Sequence, residues 1–150
     1  MTGSGTAILL VEDDANDVIL IRRAFAKAEI KNPVYTVEDG DAAVAYLAGE
    51  GTYANRGDHP LPGVVLLDLK LPRRSGLEVL QWVRQSPTLR RLPVVVLTSS
   101  RESADVNRAY DLGANSYLVK PVGFDALTDL VRILQGYWVG WNEKPEIEPA

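Results

Sequence analysis

The chain has 150 residues, no cysteine and a net charge of −4. That length suits one domain whose core needs no covalent staple, and the missing cysteine excludes disulfides and thiolate chemistry. The acidic balance argues against nucleic acid as the main partner, and the longest apolar runs fall far short of the ~20 residues a membrane span requires.

The start, MTGSGTAILLVEDD, has no basic region before its short apolar run, so it does not read as a signal peptide and a cytoplasmic location is expected. Residues 7–11, AILLV, are a continuous apolar run, the pattern of a strand covered on both faces. A helix follows. Asp14 is a good N-cap, and Val18, Ile21, Phe25 and Ala28 share one face. PVYTV, residues 33–37, is a second strand, followed by the short helix DAAVAYLAG, with Gly49 beyond its end. Residues 50–63 have no periodicity and are rich in Gly, Pro and polar residues, which predicts a long loop. VVLL is the third strand and runs into Asp68. SGLEVLQWVRQ is a helix with Leu77, Leu80, Val83 and Arg84 at helical spacing. PVVVLT is the fourth strand, RESADVNRAYDLG a helix stopped by Gly113, and SYLVK the fifth strand. The last helix is predicted over 124–141, ending in Tyr137, Trp138 and Trp141, and residues 142–150 are predicted to be a mobile polar tail. The pairs Arg22-Arg23, Arg73-Arg74 and Arg90-Arg91 read as solvated surface.

A strand-helix pattern repeated five times implies parallel strands, right-handed crossovers and helices on both faces of one sheet. In such open sheets, ligands bind beyond the carboxyl ends of the strands. Asp13 and Asp14 follow strand one, Asp68 follows strand three, Thr98 closes strand four and Lys120 closes strand five, so all could share that edge. Taken singly, each has an ordinary structural role: Asp14 as an N-cap, Asp68 as a loop acid, Thr98 as a strand end, Lys120 as surface. Jointly they are hard to read that way. Clustered carboxylates repel one another, and a divalent cation relieves this. With oxygen donors and no histidine or cysteine at hand, the hard ion Mg²⁺ is expected. A lysine and a threonine hydroxyl suit phosphoryl oxygens, which leaves one carboxylate as nucleophile.

LLVEDD, VVLLDLKLPRRSG, VVVLTSS and LGANSYLVKP, in that order, resemble the motifs of the CheY-like receiver domains of two-component response regulators. The resemblance covers residues 7–136. It implies a flavodoxin-like strand order 2-1-3-4-5, a single receiver domain over 1–141, and phosphorylation of Asp68 by a sensor histidine kinase. It implies Mg²⁺ held by Asp14 and Asp68, by Asp13 through water, and by the backbone carbonyl of Lys70. Thr98 matches the switch hydroxyl, Lys120 the phosphate-pairing lysine, and Tyr117 the aromatic that turns inward on activation. Family members also have a cis bond before the proline matching Pro121. The family commonly carries methionine where this chain has Leu71. The longer 50–63 loop and the aromatic end look similar to the stand-alone regulators of bacterial phytochromes, which makes a bacteriophytochrome a candidate for the kinase.

No output domain is expected, so the signal would leave by protein contact or onward phosphotransfer. A homodimer is expected on the face of helix four, strand five and helix five. The protein is expected not to be an enzyme, but a phosphoacceptor that assists its own phosphorylation and dephosphorylation. Two other readings compete. A phosphatase of the haloacid dehalogenase type would carry a second acid at the position of Lys70, and a non-phosphorylated scaffold would not need the full set of five residues. His59, alone in a Pro/Gly loop, reads as a surface residue. Tyr137, Trp138 and Trp141 read either as a cap on the core or as a contact surface.

Overall fold

Successive strand residues point to opposite faces, and the central strands of this protein are apolar on both. The structure, a computed structural model, describes residues 5–147. Its strands are β1 (Ile8–Val11), β2 (Val34–Val37), β3 (Val64–Leu67), β4 (Val94–Thr98) and β5 (Ser116–Val119), all parallel, in the order β2-β1-β3-β4-β5. The helices are α1 (Ala15–Lys27), α2 (Gly40–Ala48), α3 (Gly76–Gln85), α4 (Ser103–Asp111) and α5 (Phe124–Leu134). The expected doubly wound α/β fold is therefore observed.

Leu9, Val11, Val65, Leu67, Val94 and Val96 face the side covered by α2, α3 and α4. Ile8, Leu10, Val64, Leu66, Val95 and Leu97 face α1 and α5. Among the described residues no helix is long and apolar enough to cross a membrane.

Local chemistry sets the helix ends. Asp14 caps α1, accepting from the amides of Asn16 and Asp17 at 2.8 and 3.2 Å. Ser75 and Glu78 form a reciprocal capping box at the start of α3. α4 is the least anchored helix, with only Ala109 fully buried. Arg73, in the loop before α3, has φ +68, a left-handed conformation unusual for a residue with a Cβ.

The 50–63 loop is longer than a typical connection, yet it is pinned. It begins with a 3-10 turn, Gly51–Tyr53. Arg56 donates to the carbonyls of Tyr46 and Leu47, at the end of α2, and to that of His59. His59 is half-buried, edge-on to the rings of Tyr46 and Tyr53, rather than a free surface residue.

The carboxyl end departs from the expected single helix and free tail. α5 stops at Leu134, and residues 135–141 continue as a π-helix. Gly136 and Gly140 are poor α-helix formers, and the wider winding keeps Val139 buried and lets Trp138 pack on the α1–α5 side of the core. Tyr137 and Trp141 remain exposed. Residues 142–147 then fold back. Lys144 donates to the Val139 carbonyl at 3.2 Å, Arg91 reaches the Glu146 carbonyl, and Ile147 packs against the other core layer. Residues 148–150 of the predicted tail lie outside the described residues.

Arg84, at helical spacing with Leu77 and Leu80, is a clamp. It donates to the carbonyls of Gly113, Arg90 and Leu92 and to Asn115 Oδ1, at 2.6–3.0 Å. It thereby ties α3 to the segments that enter β4 and β5. Arg84→Ala should lower stability by about 2 kcal/mol, because part-buried carbonyls lose their donor. The expected readout is a lower urea midpoint with an unchanged slope.

Candidate functional site

The apolar run of β3 ends at Leu67, so Asp68 is the first residue beyond the strand, and it is buried. It stays close to the start of α3 because Gly76 has no side chain. A Cβ there would lie 2.2 Å from the Asp68 carbonyl oxygen and 2.7 Å from Leu69 Cα. Val11 of β1 pairs in register with Leu67 of β3, so the first residue after each strand stands level with the other. After β1 that residue is Glu12, which is 1% exposed.

Lys120 follows β5, its amide donating to the Thr98 carbonyl at 2.8 Å. Its ammonium donates to Glu12 Oε1, to Asp17 Oδ2 at 2.9 Å and to Asp68 Oδ2 at 3.2 Å. Burial pushes the Glu12 carboxyl up to about 7, against the pull of its hydrogen bonds with Lys120 and the Asp14 amide. Burial also disfavours the Lys120 ammonium. Its hydrogen bonds to Glu12 and Asp17 and the field of Asp68 outweigh this and hold its pKa above the ordinary lysine value.

Thr98 is fully buried, and its Oγ1 has no hydrogen-bond partner among the described residues. A buried hydroxyl without a partner costs stability and therefore marks a place for a ligand oxygen. Lys70 follows Asp68 closely, and its amide donates to Asp68 Oδ1 at 3.3 Å. Its side chain faces Asp105 of α4 at 3.7 Å. Tyr117 donates to the Ser100 carbonyl at 3.0 Å, and Ser100 Oγ donates to Asp105 Oδ2 at 2.6 Å. A polar chain thus runs from the loop beside Asp68, across the start of α4, to β5. No peptide bond among the described residues is cis, so Lys120–Pro121 is trans.

The expected acidic pair needs a correction of one residue. Carboxylate oxygens of Glu12, Asp13 and Asp68 lie within 4.8 Å of one another and could hold a cation. Asp14 stands outside this group, because its side chain is occupied by the α1 N-cap. The pair facing Asp68 is therefore Glu12 and Asp13, not Asp13 and Asp14. Asp17, the other acid on Lys120, carries no motif signal, and only its place one helical turn into α1 pointed toward the edge.

Comparison with known proteins places this edge in a family context. The response regulator receiver domain family matches residues 8–132. The probable methanogenesis regulatory protein FilR2 of Methanothrix harundinacea is 45% identical over 139 residues, which is 92% of this chain and 86% of that protein. Response regulator Rcp1 of Synechocystis is 39% identical over 132 residues, 88% of each. The crystal structure of its Mn(2+)-bound form aligns with a TM-score of 0.82 at 37% identity, over 93% of this chain and 99% of that one. The phosphorylated cyanobacterial phytochrome response regulator RcpA aligns with a TM-score of 0.87 at 39% identity, over 95% and 99%. The matched segment contains every residue of the carboxylate edge, from Glu12 to Lys120, and the chain belongs to the family of response regulator receiver domains.

Proposed function

We propose that Asp68 accepts a phosphoryl group from a sensor histidine kinase and that the signal leaves by protein contact or onward phosphotransfer. One observation carries this reading: the buried Asp68 carboxylate sits against the Lys120 ammonium, on the sheet edge where Thr98 keeps a buried hydroxyl without a partner. An Asp68 oxygen would attack phosphorus, the P–N bond of the donor phosphohistidine would break, and its electron pair would stay on the imidazole. Lys120 and Thr98 would meet the phosphoryl oxygens with charge and a hydrogen bond. The protein would thereby assist its own phosphorylation and dephosphorylation without being a turnover enzyme. Lys70 in place of a second acid favours this over a phosphatase. The proposed setting is the cytoplasm, where a histidine kinase draws its ATP.

The proposed ion is Mg²⁺. The donor set fits, since Glu12, Asp13 and Asp68 offer only hard carboxylate oxygens. The Lys70 carbonyl is the further ligand implied by the family. Bound there, the ion would supply positive charge against the incoming phosphoryl oxygens. The Mn(2+)-bound form of Rcp1 supports a divalent ion for a chain of this family.

The proposed kinase is a bacterial phytochrome, supported by the description of RcpA as a phytochrome response regulator. FilR2 is described as a methanogenesis regulator, which supports a different input. Phosphotransfer rates from a phytochrome kinase and from a kinase without a light-sensing module separate the two. A homodimer through α4, β5 and α5 is also proposed. β5 is an edge strand, and Tyr110, Ile133, Tyr137 and Trp141 expose apolar surface on or beyond the two helices. Phosphorylation would bias it through the Lys70–Asp105–Ser100–Tyr117 chain, with Tyr117 as the switch aromatic.

Incubation with acetyl phosphate and Mg²⁺ should add one phosphoryl group by intact mass, and Asp68→Asn should add none. Asp13→Ala should abolish the Mg²⁺ binding that titration calorimetry reads in the wild type. Asp14→Ala should leave that affinity within about twofold while lowering stability by about 1 kcal/mol through loss of the cap. In sedimentation velocity, wild type should show a concentration-dependent dimer, and the double variant Ile133→Lys, Trp141→Lys should remain a monomer.

A further inference from the structure

The loop between α2 and β3 carries the one histidine of the chain, away from the carboxylate edge. The His59 ring is wedged between two tyrosines, edge-on to Tyr46 at 5.8 Å and to Tyr53 at 5.2 Å. Its Nδ1 is sealed from water and has no hydrogen-bond partner among the described residues. The backbone around it is fastened to α2. Arg56 donates to the carbonyls of Tyr46, Leu47 and His59, and the Tyr46 hydroxyl donates to that of Pro60 at 2.9 Å.

A neutral imidazole fits this place at modest cost. One nitrogen carries the proton and the other a lone pair, so a sealed Nδ1 with the lone pair brings no donor inside. Protonation makes both nitrogens donors. Nδ1 would then hold a charged N–H with nothing to accept it, the more costly kind of unsatisfied group. The surroundings do not offset this. Tyr46 is neutral, since burial holds its hydroxyl up at about 12, and Tyr53 presents a ring. The Arg56 guanidinium already lies over the Tyr46 ring, 6.0 Å from its centroid, so an imidazolium would be a second cation against the same tyrosine. Asp58, the acid next to His59 in the chain, is exposed, and its carboxylate accepts from Asn55.

We infer that His59 is a proton-operated latch on the loop of residues 51–60. The neutral ring keeps the loop docked on α2. Protonation drives the ring out from between the tyrosines and frees the loop. Protons therefore favour the released loop, so docking is complete at neutral pH and weakens as pH falls through the histidine range. Tyr53 leaves with the loop. It walls a cavity of about 510 Å³ together with Asp13, Val18, Ile19 and Asp39, so release widens the flank of the carboxylate edge.

The test is amide hydrogen exchange of the full chain, followed by NMR at pH 7.5 and 5.5 and corrected for the intrinsic effect of pH. The amides of Tyr53 and His59 donate to the carbonyls of Glu50 and Asn55 and report the loop, while that of Val65 donates to Pro93 and reports the core. If the released loop alone takes up the proton, with a pKa of about 6.5, its opening constant should rise about tenfold between the two conditions. Val65 should not change. In His59→Phe, which keeps an aromatic wedge that cannot titrate, the loop should not respond to pH. If the Phe variant does not dock its loop, His59→Gln takes its place. The wild type supplies a measurement that needs no variant. With one histidine in the chain its ring resonance is unambiguous, and the loop signals should shift with the same midpoint as the ring. No pH response of the wild-type loop overturns the proposal. An equal rise at Val65 also does, because the whole fold would then be loosening. So does an equal response in the docked His59 variant, which would assign the effect to carboxylates, or a loop midpoint different from that of the ring.

Discussion

Burying carboxylates beside one another is unfavourable, and at the carboxyl edge of this sheet the protein does so around a single ammonium. Glu12, Asp17 and Asp68 all bind Lys120, and Asp13 stands near without a lysine bond of its own. Negative charge exceeds positive charge there, so the edge is poised for a cation. The parallel pairing of β1 with β3 creates this situation, because equal register puts Glu12 beside Asp68. β5 completes it by delivering Lys120 beyond Val119, whose partner is Thr98. The apolar strands beneath serve the same end. Residues covered on both faces leave little freedom in where each strand stops, and the chemistry begins at the first residue after the stop.

The two core layers give that edge different neighbours. On the α1 and α5 side, Ile21, Phe25, Leu127 and Val131 form a continuous packed layer. On the other side α4 contributes little to the core, and its first turn is held chiefly by polar contacts among Ser100, Asp105 and Lys70. Helices with few buried apolar contacts open and shift at low cost. The helix that packs beside β5 and Tyr117 is thus the one best able to move, while the Arg84 clamp keeps the entries to β4 and β5 in place behind it.

Much of this was legible in the sequence for a physical reason. Strand-length apolar runs that end abruptly on Asp68, Thr98 and Lys120 announce both the strand and its functional end. The acidic pair was harder. In VEDD three acids follow one another, and Asp14 has two attractive roles, metal ligand and N-cap. It can fill only one, and the helix takes it. Counting from the last apolar residue of β1, as for β3, would have selected Glu12. Asp17 was hidden because its partner lies 103 residues away and no local pattern marks the pair. At the carboxyl end, polar composition suggests a free tail and does not register Ile147, an apolar residue that packs against the core.

That anchor has a practical meaning for labelling. Lys144, Pro145 and Ile147 line the opposite edge of the sheet, beside the residues that lead into β1, β3 and β4. A strand of four or five residues separates that edge from Asp68, a span of roughly 15 Å. A dye or fluorescent protein joined after Ile147 would thus emerge away from the carboxylates, leaving the kinase's approach unobstructed. A truncation before Lys144 would instead uncover part of the core and strip Val139 of a carbonyl partner.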